Sequence, residues 1–164
     1  MPEPRLIADW LDAAQSYSHI LVDGTRYRPD INAVLIAKAD VIVVPIVNVA
    51  MDEGPLDLLM SQIALVRDVS NAPILLVFNR QWPNDPGIGE DLRRVERRYG
   101  RSFPSALVTR RKTFEMSEDG SLSGPLNSPI TTPRARGARK ACQELANLWT
   151  VAERIVSHTL TRIV

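Results

Sequence analysis

Cysteine is almost missing from this sequence: Cys142 stands alone, so no internal disulfide can form, which fits a reducing compartment. Histidine is as scarce, and His19 and His158 have no cysteine or histidine partner at metal-ligand spacing, so no zinc site is expected. Only three lysines occur, Lys38, Lys112 and Lys140, and none follows a glycine-rich strand end. A phosphate-binding loop needs glycine-rich backbone and a lysine at a helix start. The nearest approach, PGIGED at Pro86–Asp91, has two glycines, no lysine and two acids that would repel phosphate. Long hydrophobic runs are also wanting. The longest, Val41–Met51, is broken by Pro45 and Asn48 and is too short to span a bilayer. The opening MPEPRLIADWLDAA carries acids and no apolar core, so a signal peptide is not expected. These absences lead us to expect a soluble, cytoplasmic protein without a membrane partner.

What the chain does have is a strong segregation of charge. It counts 164 residues, enough for one domain with a sizeable core, and a single domain over 1–164 is expected. Through Leu92 there are 6 Lys and Arg against 13 Asp and Glu, whereas Arg93–Lys140 holds 12 against 4. The net charge of +1 conceals this. A basic half of that kind is a cue for an anionic partner.

Apolar periodicity outlines the elements. Residues 5–17 read as a helix with Leu6, Trp10, Leu11 and Ala14 on one face, and HILVD, His19–Asp23, reads as a short buried strand. Asp30 is placed to cap a helix carrying Ile31, Val34 and Leu35, with Asn32 and Lys38 outside. ADVIVVP is apolar on both faces, as in the interior of a parallel sheet, and Pro45 should end it. Asp52 and Gly54-Pro55 mark the next helix start, and its stripe is Leu56, Leu59, Met60, Ile63 and Val66. APILLVFNR is a further apolar strand. A helix over Glu90–Tyr99 has a thin apolar face, Leu92, Val95 and Tyr99, opposite Arg93, Arg94, Arg97 and Arg98. PSALV is a possible strand, 117–137 a long loop, and Ala138–Ile163 a last helix. Strands separated by helix-length segments indicate βαβ units. The fold class expected is therefore α/β, with a mainly parallel sheet flanked by helices.

YSHILVDGT, LIAKADVIVVPIVNVAMDEGPLDLLMSQIALVRDV, APILLVFNR and VTRRKTFEMSEDGSLSGPL, in that order, resemble the ParA/MinD family of P-loop ATPases over most of residues 5–160. No one of these motifs is specific; their order and spacing carry the likeness. Members segregate plasmids and chromosomes, place division machinery or support DNA transfer. The resemblance implies a truncated P-loop NTPase fold, with ATP and Mg²⁺ as the family's cofactors. It matches Asp23 to the aspartate that sits beside magnesium. Asn79, with Arg80 beside it, matches the asparagine that contacts the adenine base; its amide can both donate and accept. Gly24 intervenes where the family has threonine directly after the aspartate. The family's phosphate loop, signature lysine and water-positioning acid would lie upstream of Met1, so the chain by itself is expected neither to bind ATP nor to catalyse. The family's phosphate-loop strand would lie between HILVD and Val41–Val44. Without it, the sheet must close on itself, pair with another copy or be completed from upstream, so a homo-oligomer or partner protein is expected.

Each assignment has a plainer competitor. Asp23 is also an ordinary turn residue, and Asn79-Arg80 an ordinary strand end. The arginine helix could be a solvated face with Glu90 supporting Arg94 at i, i+4. Against that, Arg93, Arg94, Arg97, Arg98, Arg110, Arg111 and Lys112 form a nonspecific DNA-binding set by analogy with the basic C-terminal surfaces of ParA-like proteins. Aromatics in the basic region are few, Tyr99, Phe103 and Phe114, so contact with the nucleic-acid backbone is expected rather than base stacking. MinD-type proteins use a C-terminal amphipathic helix on membranes, but here Arg154, His158 and Arg162 make a sparse polar stripe, and packing against the sheet is the better reading. A phosphoreceiver domain would need a cluster of acids and a lysine at strand ends, which are missing. Two functions remain: an incomplete ParA/MinD-like ATPase-family protein of DNA partitioning or transfer, and a non-catalytic module of that descent that binds DNA or partner proteins.

Overall fold

The computed structural model describes residues 3–25, 28–82, 85–110 and 133–161. In chain order the elements are α1 (Pro4–Ala13), a 3₁₀ turn (Ala14–Ser16), α2 (Pro29–Lys38), β1 (Ile42–Ile46), α3 (Val49–Leu65), β2 (Ile74–Gln81), α4 (Ile88–Tyr99), β3 (Ser105–Thr109) and α5 (Pro133–Thr161). The fold is α/β, with a three-stranded parallel sheet in the order β1-β2-β3. By internal packing the chain forms two compact units, Met1–Ile42 with Met51–Pro73, and Val43–Ala50 with Ile74–Val164.

The first unit is helical. Ile31, Ile36, Leu56 and Ile63 are buried in it, with Ala14 and Ala72. α1 packs on α2, and Lys38 Nζ reaches Asp12 Oδ1 at 2.7 Å. Pro29 takes the first position of α2, where a missing N–H costs nothing. Asp30 therefore sits inside the first turn rather than capping it. Its carboxyl is held down at about 2 by the hydrogen bond from Arg28, with the Ile31 amide adding to this. The carbonyl of Ile36, left over at the end of α2, accepts from Ser70 Oγ at 3.1 Å. α3 starts at Val49, earlier than Gly54-Pro55 suggested, and Pro55 lies inside it.

The expected strand HILVD is not one. Residues 19–25 form no regular element, and Leu21 is 88% exposed, with Ile20 and Val22 also at the surface. An apolar run becomes a buried strand only where neighbouring backbone pairs with it, and none of the described strands does so here.

In the second unit β2 is the middle strand, and Ile74–Phe78 are all buried, because a central strand of a parallel sheet is covered on both faces. β3 pairs with it in parallel, from Leu76↔Ser105 to Asn79↔Val108. β1 lies at the edge and alternates: Val44 and Ile46 are buried, Val43 and Pro45 exposed. It was expected in the interior and to stop at Pro45. As an edge strand it carries the proline within it, since an edge position need not donate outward.

α5 packs on β3, and begins earlier than expected, so 133–137 are helix and not loop; residues 117–132 fall outside the described residues. Ala135, Ala138 and Ala141 are fully buried on it, small side chains that permit a close approach. Further along, Leu145 and Trp149 are exposed, so the apolar stripe is only partly covered. α4 ends at Gly100, whose φ of 63° is the left-handed cap that glycine tolerates. Among the described residues no helix is long and apolar enough to cross a membrane.

Candidate nucleic-acid interface

The sequence of α4 separates its two faces. Val95 is buried, Ile88, Leu92 and Tyr99 are partly buried, and Arg93, Arg94, Arg97 and Arg98 are exposed on the opposite side. Glu90 and Asp91 occupy the first turn and Arg97 and Arg98 the last, the arrangement that the helix dipole favours. Partial burial raises the Asp91 carboxyl above its usual value, opposed by Arg94 and reinforced by Asp85 and Glu90. Positive charge therefore dominates from the second turn onward. There a shallow cleft of about 350 Å³ is lined by Arg93, Arg97 and Arg101 with Glu96, Gly100 and Ser102.

Two of the three aromatics of the basic region, Tyr99 and Phe103, pack on each other where α4 ends. Phe103 is buried, Tyr99 meets it edge to face at 6.3 Å, and the Arg101 guanidinium lies 4.7 Å from its ring centre. Glu96 accepts the Phe103 N–H at 3.1 Å and fixes that turn. Phe114, Arg111 and Lys112 lie outside the described residues.

Arg110 leads instead to a residue that sequence reasoning passed over. Its N–H donates to Gln81 O at 2.8 Å, continuing the β2–β3 pairing, and its guanidinium lies over the ring of Trp82, 5.5 Å from the centroid. Trp82 is 64% exposed. A tryptophan two residues past a strand-ending Asn-Arg was the available signal.

Asn79 and Arg80 stand at the C-terminal end of β2, where a bulge separates Asn79 from Gln81 in the register. Arg80 has a φ of 58°, and its N–H donates to Asn79 Oδ1 at 2.8 Å. The Asn79 side chain thus stabilises the turn at its own strand end. Gln81 Nε2 donates to Val47 O at 2.8 Å, fastening β2 to the end of β1.

Asp23 belongs to the other unit, in the exposed stretch before Gly24 and Thr25. Asn32, expected on the outside of α2, turns inward: its Oδ1 accepts the Thr25 N–H at 3.2 Å and its Nδ2 donates to Thr25 O at 2.6 Å and Gln62 Oε1 at 3.4 Å. The Thr25 amide is therefore engaged and does not point at a phosphate. Among the described residues no group of three or more His, Cys, Asp or Glu is arranged to hold a metal ion. No family model, no curated protein and no solved structure matches the chain.

Proposed function

We propose that this chain is a non-catalytic module of ParA/MinD-like descent that holds nucleic acid by its phosphate backbone and serves DNA partitioning or transfer. The observation that carries this reading is the exposed row Arg93, Arg94, Arg97 and Arg98 on α4, directly opposite a buried face. A helix that needed these arginines only for solubility would gain as much from acids interspersed among them; here the acids are confined to the first turn and Glu96. Guanidinium groups suit phosphate oxygens, which they bind two-pronged. The contact is independent of sequence, since phosphates carry none. The engaged Thr25 amide beside exposed Asp23 lends no support to a catalytic role for these residues.

The test is anisotropy titration of unrelated DNA duplexes at low and moderate salt. If about four phosphates are neutralised, log K falls against log salt with a slope of about −3.6. Changing Arg93, Arg94, Arg97 and Arg98 together to alanine weakens all duplexes alike and flattens the slope. Binding indifferent to those changes, or no binding at low salt, overturns the proposal.

A further inference from the structure

We infer that Trp82, backed by Arg110, is a stacking site for an unpaired nucleobase, so that the module prefers nucleic acid with single-stranded character. This rests on the nucleic-acid reading above and says which form of the ligand it takes.

The first observation is the exposure of Trp82. Large aromatic side chains normally find cover, and this one stands 64% exposed at the C-terminal end of the middle strand. In open parallel sheets that end is where ligands bind. The second is Arg110, whose guanidinium lies over one face of the ring at 5.5 Å. That contact places a cation beside whatever stacks on the ring's remaining surface. A base has a flat π-face and a phosphate close by, so an aromatic platform next to a fixed cation matches both parts of a nucleotide unit. A duplex offers no base face except at its ends.

The third observation is the backbone beneath. Arg80 adopts the left-handed region, φ 58°, at the bulge that separates Asn79 from Gln81. Asparagine or glycine takes such a position at less cost than arginine. Bulges at strand ends re-aim side chains and recur beside functional sites. The bulge and the left-handed turn set the direction in which the chain leaves β2, and Trp82 is the second residue after Arg80. Exposed Arg80 adds a further cation at the same strand end.

The experiment compares a mixed-sequence single-stranded DNA oligonucleotide with the blunt duplex of the same sequence. Trp10→Phe and Trp149→Phe leave Trp82 as the sole tryptophan. Single-stranded DNA should quench its emission, and the duplex should not. Trp82→Ala should weaken single-strand binding about tenfold, within the range expected for loss of one stacked base, while leaving duplex affinity within about twofold. Trp82→Phe, which keeps an aromatic ring, should recover most of the loss. Arg110→Lys, which keeps charge but not the planar contact, should fall between. Quenching absent with single strands, or equal weakening of both forms by Trp82→Ala, overturns the inference while duplex binding through α4 stands. Loss of self-association in Trp82→Ala with unchanged DNA affinity also overturns it and makes Trp82 a protein contact. Failure of either DNA to bind at low salt removes this inference together with the reading beneath it.

Discussion

Glu144 on α5 closes both polar groups of Thr109 at the end of β3: its carboxylate accepts the Thr109 N–H at 3.2 Å and the Thr109 hydroxyl at 2.8 and 3.0 Å. Thr109 is buried, so these groups have no easy recourse to water. α5, which packs on β3, thereby also satisfies the end of that strand.

The stability consequence follows directly. Glu144→Ala should destabilise the fold by about 1–3 kcal/mol, the cost of leaving a buried donor unsatisfied. In a Thr109→Val background the same change should cost less, because the hydroxyl that needed it is gone. Urea unfolding of the four proteins in that cycle measures the coupling. Coupling indistinguishable from zero would mean that Glu144 stabilises only through its own helix.

Arg80 invites a different test. A non-glycine residue in the left-handed region costs on the order of 1 kcal/mol or more. Arg80→Gly should raise stability by about 0.5–1 kcal/mol, and Arg80→Val, β-branched and ill-suited to positive φ, should lower it. Asn79→Ala should also destabilise, by about 1 kcal/mol, since it removes the acceptor for the Arg80 N–H. Thermal unfolding reads all three. A loss of stability in Arg80→Gly would show that the arginine side chain itself holds the strand end.

The α/β class and the buried middle strand were legible in the sequence because alternation of helical and apolar segments depends on neighbours in the chain. So was α4, whose face pattern is local: Val95 inside, arginines outside. HILVD was misjudged because strand formation depends on a distant pairing partner, which apolar character does not reveal. Pro45 was read as a terminator for the same reason, since its cost depends on whether β1 is central or at the edge. Of the candidate site, the arginine row was plain. The stacking of Arg110 on Trp82 was not, because it joins residues brought together only by the β2–β3 register. The role of Asn32 was hidden likewise, since nothing in its helical position announces a bond to Thr25.

Nucleotide binding gives a negative expectation with a clear readout. Asp23 is exposed, and the Thr25 amide beside it is taken by Asn32. Positioned phosphate contacts supply nearly all of phosphoryl-transfer catalysis, and the chain has no lysine at a glycine-rich helix start to supply them. Titration with a fluorescent ATP analogue and magnesium should show no saturable micromolar binding, and no ATP hydrolysis above background. Micromolar binding abolished by Asp23→Ala would place the nucleotide at Asp23 and overturn this expectation.

Self-association is the last expectation. β1 ends the sheet order β1-β2-β3, and among the described residues no strand pairs with its outer side. An open edge exposes N–H and C=O groups that a second chain can pair with, and such edges are usually blunted by proline, charge or a covering segment. Here Pro45 removes one donor, but the remaining edge residues are apolar, with Val43 exposed and no charge among Ile42–Ile46. A single proline interrupts a ladder without forbidding pairing on either side of it. The chain should therefore associate as its concentration rises, visible as an increasing mean mass by light scattering. Val43→Lys, which puts a charge on the edge without touching the buried Val44 and Ile46, should shift the population toward monomer. That variant also separates edge pairing from association through Leu145 and Trp149 on α5, which it would leave untouched. A constant monomer mass over a wide concentration range would mean that the outer side of β1 is protected, and one that associates but ignores Val43→Lys would move the contact elsewhere.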